Sequence, residues 1–285
     1  MSAIVIDGRK VSKDIKDELI DKVSNLKDKG VLPTLAVVLV GNDAASQVYV
    51  KHKKKACEYV GIRSLAYELS EDTSEDELLK LINELNKRED VHGILVQLPL
   101  PKHINEDKIL LAINPSKDVD GFHPYSVGNL SIGRDGFVSC TPAGIIELIK
   151  RYNIDIEGKN CVVIGRSNIV GKPVSMLLTK ENGTVTMCHS RTKNIQEVCK
   201  RADILVVAIG RANFVTKDFI KDGATVIDVG MNRLDNGKLC GDVSYDECAH
   251  VAGAITPVPG GVGPMTIAML MNNCVKSAEI SASSL

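Results

Sequence analysis

A chain of 285 residues has room for two domains of ordinary size, each with its own core. Its 35 basic and 36 acidic residues leave a formal net charge of −1, which gives no general attraction to nucleic acid or to anionic membranes. With 44% hydrophobic and 25% charged residues, no signal-peptide core near the start and no stretch approaching ~20 apolar residues, the expectation is a cytoplasmic globular protein.

Residues 11–29 read as an amphipathic helix with Ile15, Leu19, Ile20, Val23 and Leu26 on one stripe, closed by Gly30. Residues 35–40 are an apolar run that reads as a buried strand, and Gly41-Asn42-Asp43 leads into a helix reaching about Tyr59, capped by Asn42 or Asp43. A strand over 65–69, a helix over 74–87 and a strand over 93–96 follow; strands alternating with helices specify a parallel sheet. The first domain is expected to end near Pro142, where a helix over 143–151 bridges onward, and the last helix is expected over 265–279, after Pro264. The 8 cysteines are scattered without a C-x-x-C, and the 6 histidines lack metal spacing, so reduced thiols and no metal are expected.

The chain is organised around K-N-C-V-V-I-G-R-S-N-I-V-G-K-P, residues 159–173. An apolar run ends at Gly165, a polar loop with Arg166, Ser167 and Asn168 follows, and Gly171-Lys172-Pro173 opens a segment of helical period. Where a parallel strand gives way to a helix, free backbone N–H groups and the helix dipole favour an anion such as a pyrophosphate. The loop departs from G-x-G-x-x-G, and an ordinary βα turn is the plainer alternative. The next strand, residues 184–188, ends in His189-Ser190-Arg191-Thr192, where an acid would favour NAD. Ser190 and Arg191 can instead meet a 2′-phosphate, with Arg166 at hand, which points to NADP. Strands recur over 204–208 and 224–229, as a doubly wound sheet requires, with Asp203 read as a turn residue and Asp228 as a strand-end acid.

Ser46, Tyr49 and Lys53 share one helix face, and that helix starts at the carboxyl end of a parallel strand, where α/β sheets place ligands. A solvated lysine face is the alternative, since Lys51, Lys54 and Lys55 adjoin. Tyr-x-x-x-Lys also marks short-chain dehydrogenases, but their glycine loop precedes that pair and here it follows. Gln97 ends an apolar strand just before two prolines. Asp118 and Asp120 lie in an acidic loop and could bind a metal, cap a helix or bond a ligand; no further metal ligands stand at suitable spacing. The stretch T-P-V-P-G-G-V-G-P-M-T, residues 256–266, is stiff at its prolines and bare at its glycines, so backbone can approach a flat ligand closely.

Y-V-K-H-K, Q-L-P-L-P, K-D-V-D-G-F, C-T-P, G-R-S-N-I-V-G-K-P, D-V-G, G-D-V and the proline-glycine stretch, in this order, closely resemble the bifunctional methylenetetrahydrofolate dehydrogenase/cyclohydrolase family (FolD type). The resemblance runs from Ile6-Asp7-Gly8 to the last helix. It implies a two-domain α/β fold, with an N-terminal α/β catalytic domain over 1–141, a Rossmann-type doubly wound dinucleotide-binding domain over 142–264, and a C-terminal helix, 265–285, returning to the first domain. By motif, Lys53 resembles the catalytic lysine, Tyr49 the residue against the folate, Gln97 the partner tuning Lys53, and Asp120 the carboxylate that bonds the pterin. Ser46, Pro257, Gly260 and Gly261 join Tyr49 and Asp120 in the implied substrate site. Thr141, Gly165, Arg166, Ser167, Ile169, Ser190, Arg191 and Met231 make up the implied NADP site.

The implied chemistry is oxidation of 5,10-methylenetetrahydrofolate to the methenyl cation, then hydrolysis to 10-formyltetrahydrofolate. A carboxylate suits the donor edge of a pterin, and an amine beside a cation is pushed toward the neutral form that can take a proton from water. The resemblance also implies a homodimer through the dinucleotide domain, with a small-molecule folate as substrate and no nucleic acid or membrane partner. The alternatives are a dehydrogenase without the hydrolase step and a nucleotide-binding regulator without catalysis.

Overall fold

The computed structural model describes residues 3–283. Strand β1 (Ile4–Val5) leads into α1 (Gly8–Asp28), which buries Val11, Ile15, Leu19, Val23 and Leu26. Ile20, expected on that stripe, is exposed, because at about 100° per residue it turns away from the line that Leu19 holds. After β2 (Thr34–Val40) comes α2 (Ala44–Val60), with the Asp43 side chain accepting from Ser46 N and Gly61 closing the helix at φ +89°. Then β3 (Arg63–Leu69) and α3 (Glu75–Lys87) follow, the helix opened by a capping box in which Ser74 and Glu77 bond each other's backbone. Strand β4 (Gly93–Val96), α4 (Glu106–Ala112), α5 (Pro124–Ser131) and α6 (Cys140–Arg151) continue the chain.

The chain continues through β5 (Asn160–Ile164), α7 (Gly171–Lys180), β6 (Thr184–Cys188), α8 (Ile195–Cys199), β7 (Ile204–Val207), β8 (Thr225–Asp228), β9 (Asn232–Arg233), β10 (Leu239–Cys240), α9 (Tyr245–Cys248), β11 (Ala254–Ile255) and α10 (Val262–Ser283). Helix α10 starts three residues earlier than its sequence suggests, with Pro264 in its first turn, where no intrahelical partner for an N–H is needed.

The chain divides into two compact units, one joining the residues through Ser12 to Ser139–Thr266, the other joining Lys13–Val138 to the residues from Ile267 onward. The first unit holds a six-stranded sheet of order β1-β11-β8-β7-β5-β6, every neighbouring pair parallel. Its core gathers Val162, Ile164, Leu205, Val207, Val226 and Ile255. The second unit holds the parallel sheet β3-β2-β4, packed through Ala36, Val38, Val40, Ile94 and Val96 against Leu78, Ile82 and Leu85 of α3.

The opening residues therefore depart from the sequence-based boundary of 1–141. Ile4 and Val5 pair with Ala254 and Ile255 as an edge strand of the six-stranded sheet. Two residues carry no period, so nothing local announces where such a strand will pair.

Candidate active site

In the three-stranded unit, β2 and β4 end side by side, and Gln97 N donates to Val38 O at 2.8 Å. This puts the Gln97 side chain at the carboxyl edge of the sheet. Its Nε2 donates to Leu98 O at 2.7 Å, which leaves Oε1 to accept from Lys53 Nζ at 2.9 Å. Lys53 is 8% exposed, whereas Lys51, Lys54 and Lys55 on the same helix are exposed. A solvated lysine face thus describes its neighbours and not Lys53. The partner is a neutral amide, so the amine is oriented without the charge pairing that a carboxylate would impose. Ser46 is buried in the first turn of α2, and Tyr49, 40% exposed, lies on the same helix between Ser46 and Lys53.

The acidic loop separates its two carboxylates. Asp118 is buried and accepts from His123 N at 2.9 Å, Ser126 Oγ at 2.9 Å and Phe122 N at 3.3 Å, so it shapes the turn into α5. Asp120 is only half-buried. Of the roles open to the loop, Asp118 takes the structural one. Among the described residues no group of three or more His, Cys, Asp or Glu side chains could hold a metal ion. The eight cysteines are free thiols, seven of them buried and Cys240 half-buried.

In the six-stranded unit, Gly165 and Gly171 are glycines for steric reasons. A Cβ on Gly165, whose φ is +128°, would lie 2.3 Å from Ala208 O, and one on Gly171 would lie 2.3 Å from Gly165 O. The loop between them is braced by Ser167 Oγ, which accepts from Val170 N at 3.1 Å and Gly171 N at 3.3 Å. Arg166, Ser167 and Ile169 are exposed over this cradle, at the start of the ten-residue helix α7. Such a bare, N–H-rich turn fits a dinucleotide phosphate. At the end of β6 the turn 189–192 is locked by His189 N donating to Thr192 Oγ1 at 2.9 Å and Arg191 N donating to His189 Nδ1 at 3.1 Å, with Ser190 and Arg191 exposed on it. Thr141 and Thr266 share a 2.9 Å hydroxyl contact, and Met231 is 47% exposed.

The proline-glycine stretch packs backbone on backbone. A Cβ on Gly8 would sit 1.8 Å from Gly261 O, and one on Gly260, at φ +113°, would sit 3.0 Å from Arg9 Nε. Pro257 is half-buried beside them.

Two acids play a larger structural part than their sequence suggests. Asp242 is fully buried and accepts from Ile209 N, Arg211 N and Asn232 Nδ2 at 2.7–2.9 Å. Asp228, the strand-end acid, accepts from Gly230 N, Asp242 N and Val243 N at 2.9 Å each. Burial pushes its carboxyl up to about 6 even so. Asp203 is the turn residue expected of it, accepting from Asn160 N at 2.9 Å and Lys221 Nζ at 2.5 Å.

A doubly wound parallel sheet that admits no side chain where its first central strand meets a helix is the architecture of a dinucleotide-dependent enzyme. Comparison with known proteins makes this specific. The catalytic-domain profile of the tetrahydrofolate dehydrogenase/cyclohydrolase family matches residues 6–120, and the profile of that family's NAD(P)-binding domain matches residues 139–282. The chain belongs to this family. It is 68% identical over 277 residues to a bifunctional protein FolD of Lachnoclostridium phytofermentans, covering 97% of this chain and 98% of that one. The crystal structure of the bifunctional FolD methylenetetrahydrofolate dehydrogenase/cyclohydrolase of Campylobacter jejuni superposes with a TM-score of 0.96 at 52% identity, covering 98% of this chain and 99% of the other. The corresponding Trypanosoma brucei enzyme, crystallised with NADP and an inhibitor, gives 0.94 at 40% identity and covers 99% of both chains.

Proposed function

We propose that this protein oxidises 5,10-methylenetetrahydrofolate with NADP and hydrolyses the resulting 5,10-methenyl cation to 10-formyltetrahydrofolate. The observation that carries the reading is the partly buried 2.9 Å contact between Lys53 Nζ and Gln97 Oε1 in the family's catalytic unit. NADP⁺, when bound, supplies the hydride acceptor. Thr141, Gly165, Arg166, Ser167, Ile169 and Met231 hold it, and Ser190 and Arg191 receive its 2′-phosphate. Support for NADP over NAD comes from the missing acid at the end of β6 and from the NADP bound by the Trypanosoma brucei relative.

On the folate side, Asp120 accepts from the pterin, Tyr49 supplies a flat apolar face, and Ser46 completes the contacts from the three-stranded unit. Lys53 moves the proton from attacking water, and Gln97 aims its amine. Among the described residues no helix is long and apolar enough to cross a membrane. The proposal includes a cytoplasmic location and a homodimer, the latter open to light scattering.

The test mixes pure protein with 5,10-methylenetetrahydrofolate and NADP⁺ and follows the methenyl chromophore. Appearance and decay are expected. A chromophore that accumulates without decay leaves a dehydrogenase alone, and no chromophore leaves a nucleotide-binding regulator.

A further inference from the structure

We propose that Thr266, in the first turn of α10, is a positioning residue for the nicotinamide end of the cofactor, holding the Thr141 hydroxyl in the direction that meets the carboxamide. The inference rests on the reading of Thr141 as a residue that touches NADP.

The sheet order decides which end of a dinucleotide lies here. The phosphate loop follows β5, and the turn that carries Ser190 and Arg191 follows β6, its neighbour at the edge of the six-stranded sheet. A cofactor with its 2′-phosphate at β6 and its pyrophosphate at β5 therefore runs on toward β7 and β8 with its nicotinamide. Met231 stands just past β8. Residues 262–266, the first turn of α10, belong to the same unit and border Met231, since a Cβ on Gly263 would lie 3.0 Å from Met231 Cε.

The same turn meets α6. A Cβ on Gly144 would lie 2.7 Å from Met265 Cβ, so the two helices approach closely because position 144 has no side chain. Thr141 stands three residues before Gly144 on the same face of α6, and Thr266 directly follows Met265. The approach brings the two hydroxyls to 2.9 Å. Gly263 and Thr266 are likewise three residues apart, so one face of α10 borders both Met231 and Thr141.

A hydroxyl in a helix commonly bonds the carbonyl four residues back, as Ser175 Oγ does with Gly171 O at 2.8 Å and Thr179 Oγ1 with Ser175 O at 2.9 Å. Thr266 turns its hydroxyl to Thr141 instead, and among the described residues neither hydroxyl makes another hydrogen bond. Two hydroxyls have two protons and use one between them. With Thr266 as the donor, the proton left over is that of Thr141, the residue read as touching the cofactor. Both threonines are only half-buried, so this O–H is open to a ligand, and a carboxamide oxygen accepts it. Without the Thr266 donor, the Thr141 hydroxyl turns about its C–O bond and its proton is no longer aimed.

The experiment measures binding of NADP⁺ and of adenosine 2′,5′-bisphosphate, which keeps the 2′-phosphate end and lacks the nicotinamide. Titration calorimetry and thermal midpoints are taken for Thr266→Val, Thr266→Ser, Thr141→Val and the Thr141→Val/Thr266→Val pair. Thr266→Val keeps the branched shape without the donor and is expected to weaken NADP⁺ roughly three- to tenfold, the effect of one neutral hydrogen bond, with the bisphosphate unchanged. Thr266→Ser keeps the hydroxyl and is expected to bind NADP⁺ as the unmodified protein does. In the Thr141→Val background the Thr266→Val substitution is expected to cost no further affinity, because the hydroxyl it aims is gone. If Thr266→Val does not fold, Thr266→Ala carries the same expectations. Unchanged NADP⁺ affinity in Thr266→Val, equal weakening of the bisphosphate, a Thr266→Ser variant as weak as Thr266→Val, or additive losses in the pair overturn the positioning role while Thr141 keeps its place in the cofactor site. Full NADP⁺ affinity in Thr141→Val overturns the reading of Thr141 and this inference with it.

Discussion

Asp228 and Asp242 each fill the space above a glycine beside the other. Asp242 N donates to Asp228 Oδ1 at 2.9 Å, Asp228 Oδ2 lies 1.7 Å from where a Cβ on Gly241 would stand, and Asp242 Oδ1 lies 2.3 Å from the Cβ position of Gly230. The D-V-G and G-D-V motifs are thus two halves of one interlock, and Met231 follows directly on Gly230.

A methyl group on Gly241 has nowhere to go, because both carboxylate oxygens of Asp228 are already bonded to backbone N–H groups. Gly241→Ala is expected to destabilise the six-stranded unit by about 1–3 kcal/mol or more, the ordinary range for overpacking. Urea unfolding measures it. An unchanged midpoint would show that the turn moves aside freely.

The Asp228 carboxyl, raised by burial to about 6, predicts a pH dependence of definite sign. A folded-state value above the unfolded one means that folding favours the protonated form, so this group's contribution is full below about pH 4 and is lost as pH rises through about 6. Asp228→Asn removes that titration. Between pH 4 and 7, the stability of the unmodified protein minus that of the variant is expected to fall as pH rises. A flat difference would place the carboxyl at an ordinary value.

At the end of β6, Arg191 is exposed on a turn whose backbone is already locked, so the side chain can be removed without disturbing it. Arg191→Ala is expected to weaken NADP about tenfold or more, the effect of losing a charge-assisted hydrogen bond, and to leave NAD binding nearly unchanged. Retained NADP affinity would shift the phosphate contact to Arg166 or another group.

Lys53→Met separates the two activities. Hydride transfer needs two rings aligned but no proton moved at the reacting carbon, whereas hydrolysis needs a group that exchanges protons with water. Methionine keeps an apolar stem in the buried site and removes the amine. Methenyl hydrolysis is expected to drop by a factor on the order of 100 or more while dehydrogenation remains measurable and the methenyl species accumulates. Parallel loss of both rates would reduce Lys53 to a binding residue.

Features written in local sequence were legible before any fold was known. The strand bounds at Gly93–Val96 and Thr184–Cys188, the cap at Asp43, one of two candidates, and the βα turn at Gly165 follow from local residue types, whereas Ser74, expected as the first residue of its helix, is its cap. The motifs that carry the family resemblance are local in the same sense. Each depends on residues within a few positions of one another, whose spacing is the signal.

What only the tertiary structure decided depends on which segments meet. Sequence sets Lys53 on one helix face with Ser46 and Tyr49 but leaves open a solvated lysine face shared with Lys51, Lys54 and Lys55; packing buries Lys53 against Gln97, 44 residues on, and leaves the other three exposed. Ile4 and Val5 have no period to announce a strand, and they become one because Ala254 and Ile255 offer an open edge. Asn273 is one of several polar residues in the last helix, and nothing in its neighbourhood announces that its amide reaches the Val119 carbonyl, 154 residues away. Local sequence determined the elements and the residue types at their ends. The partners of buried polar groups were chosen by packing, because a hydrogen bond between distant segments is specified by where both segments come to rest.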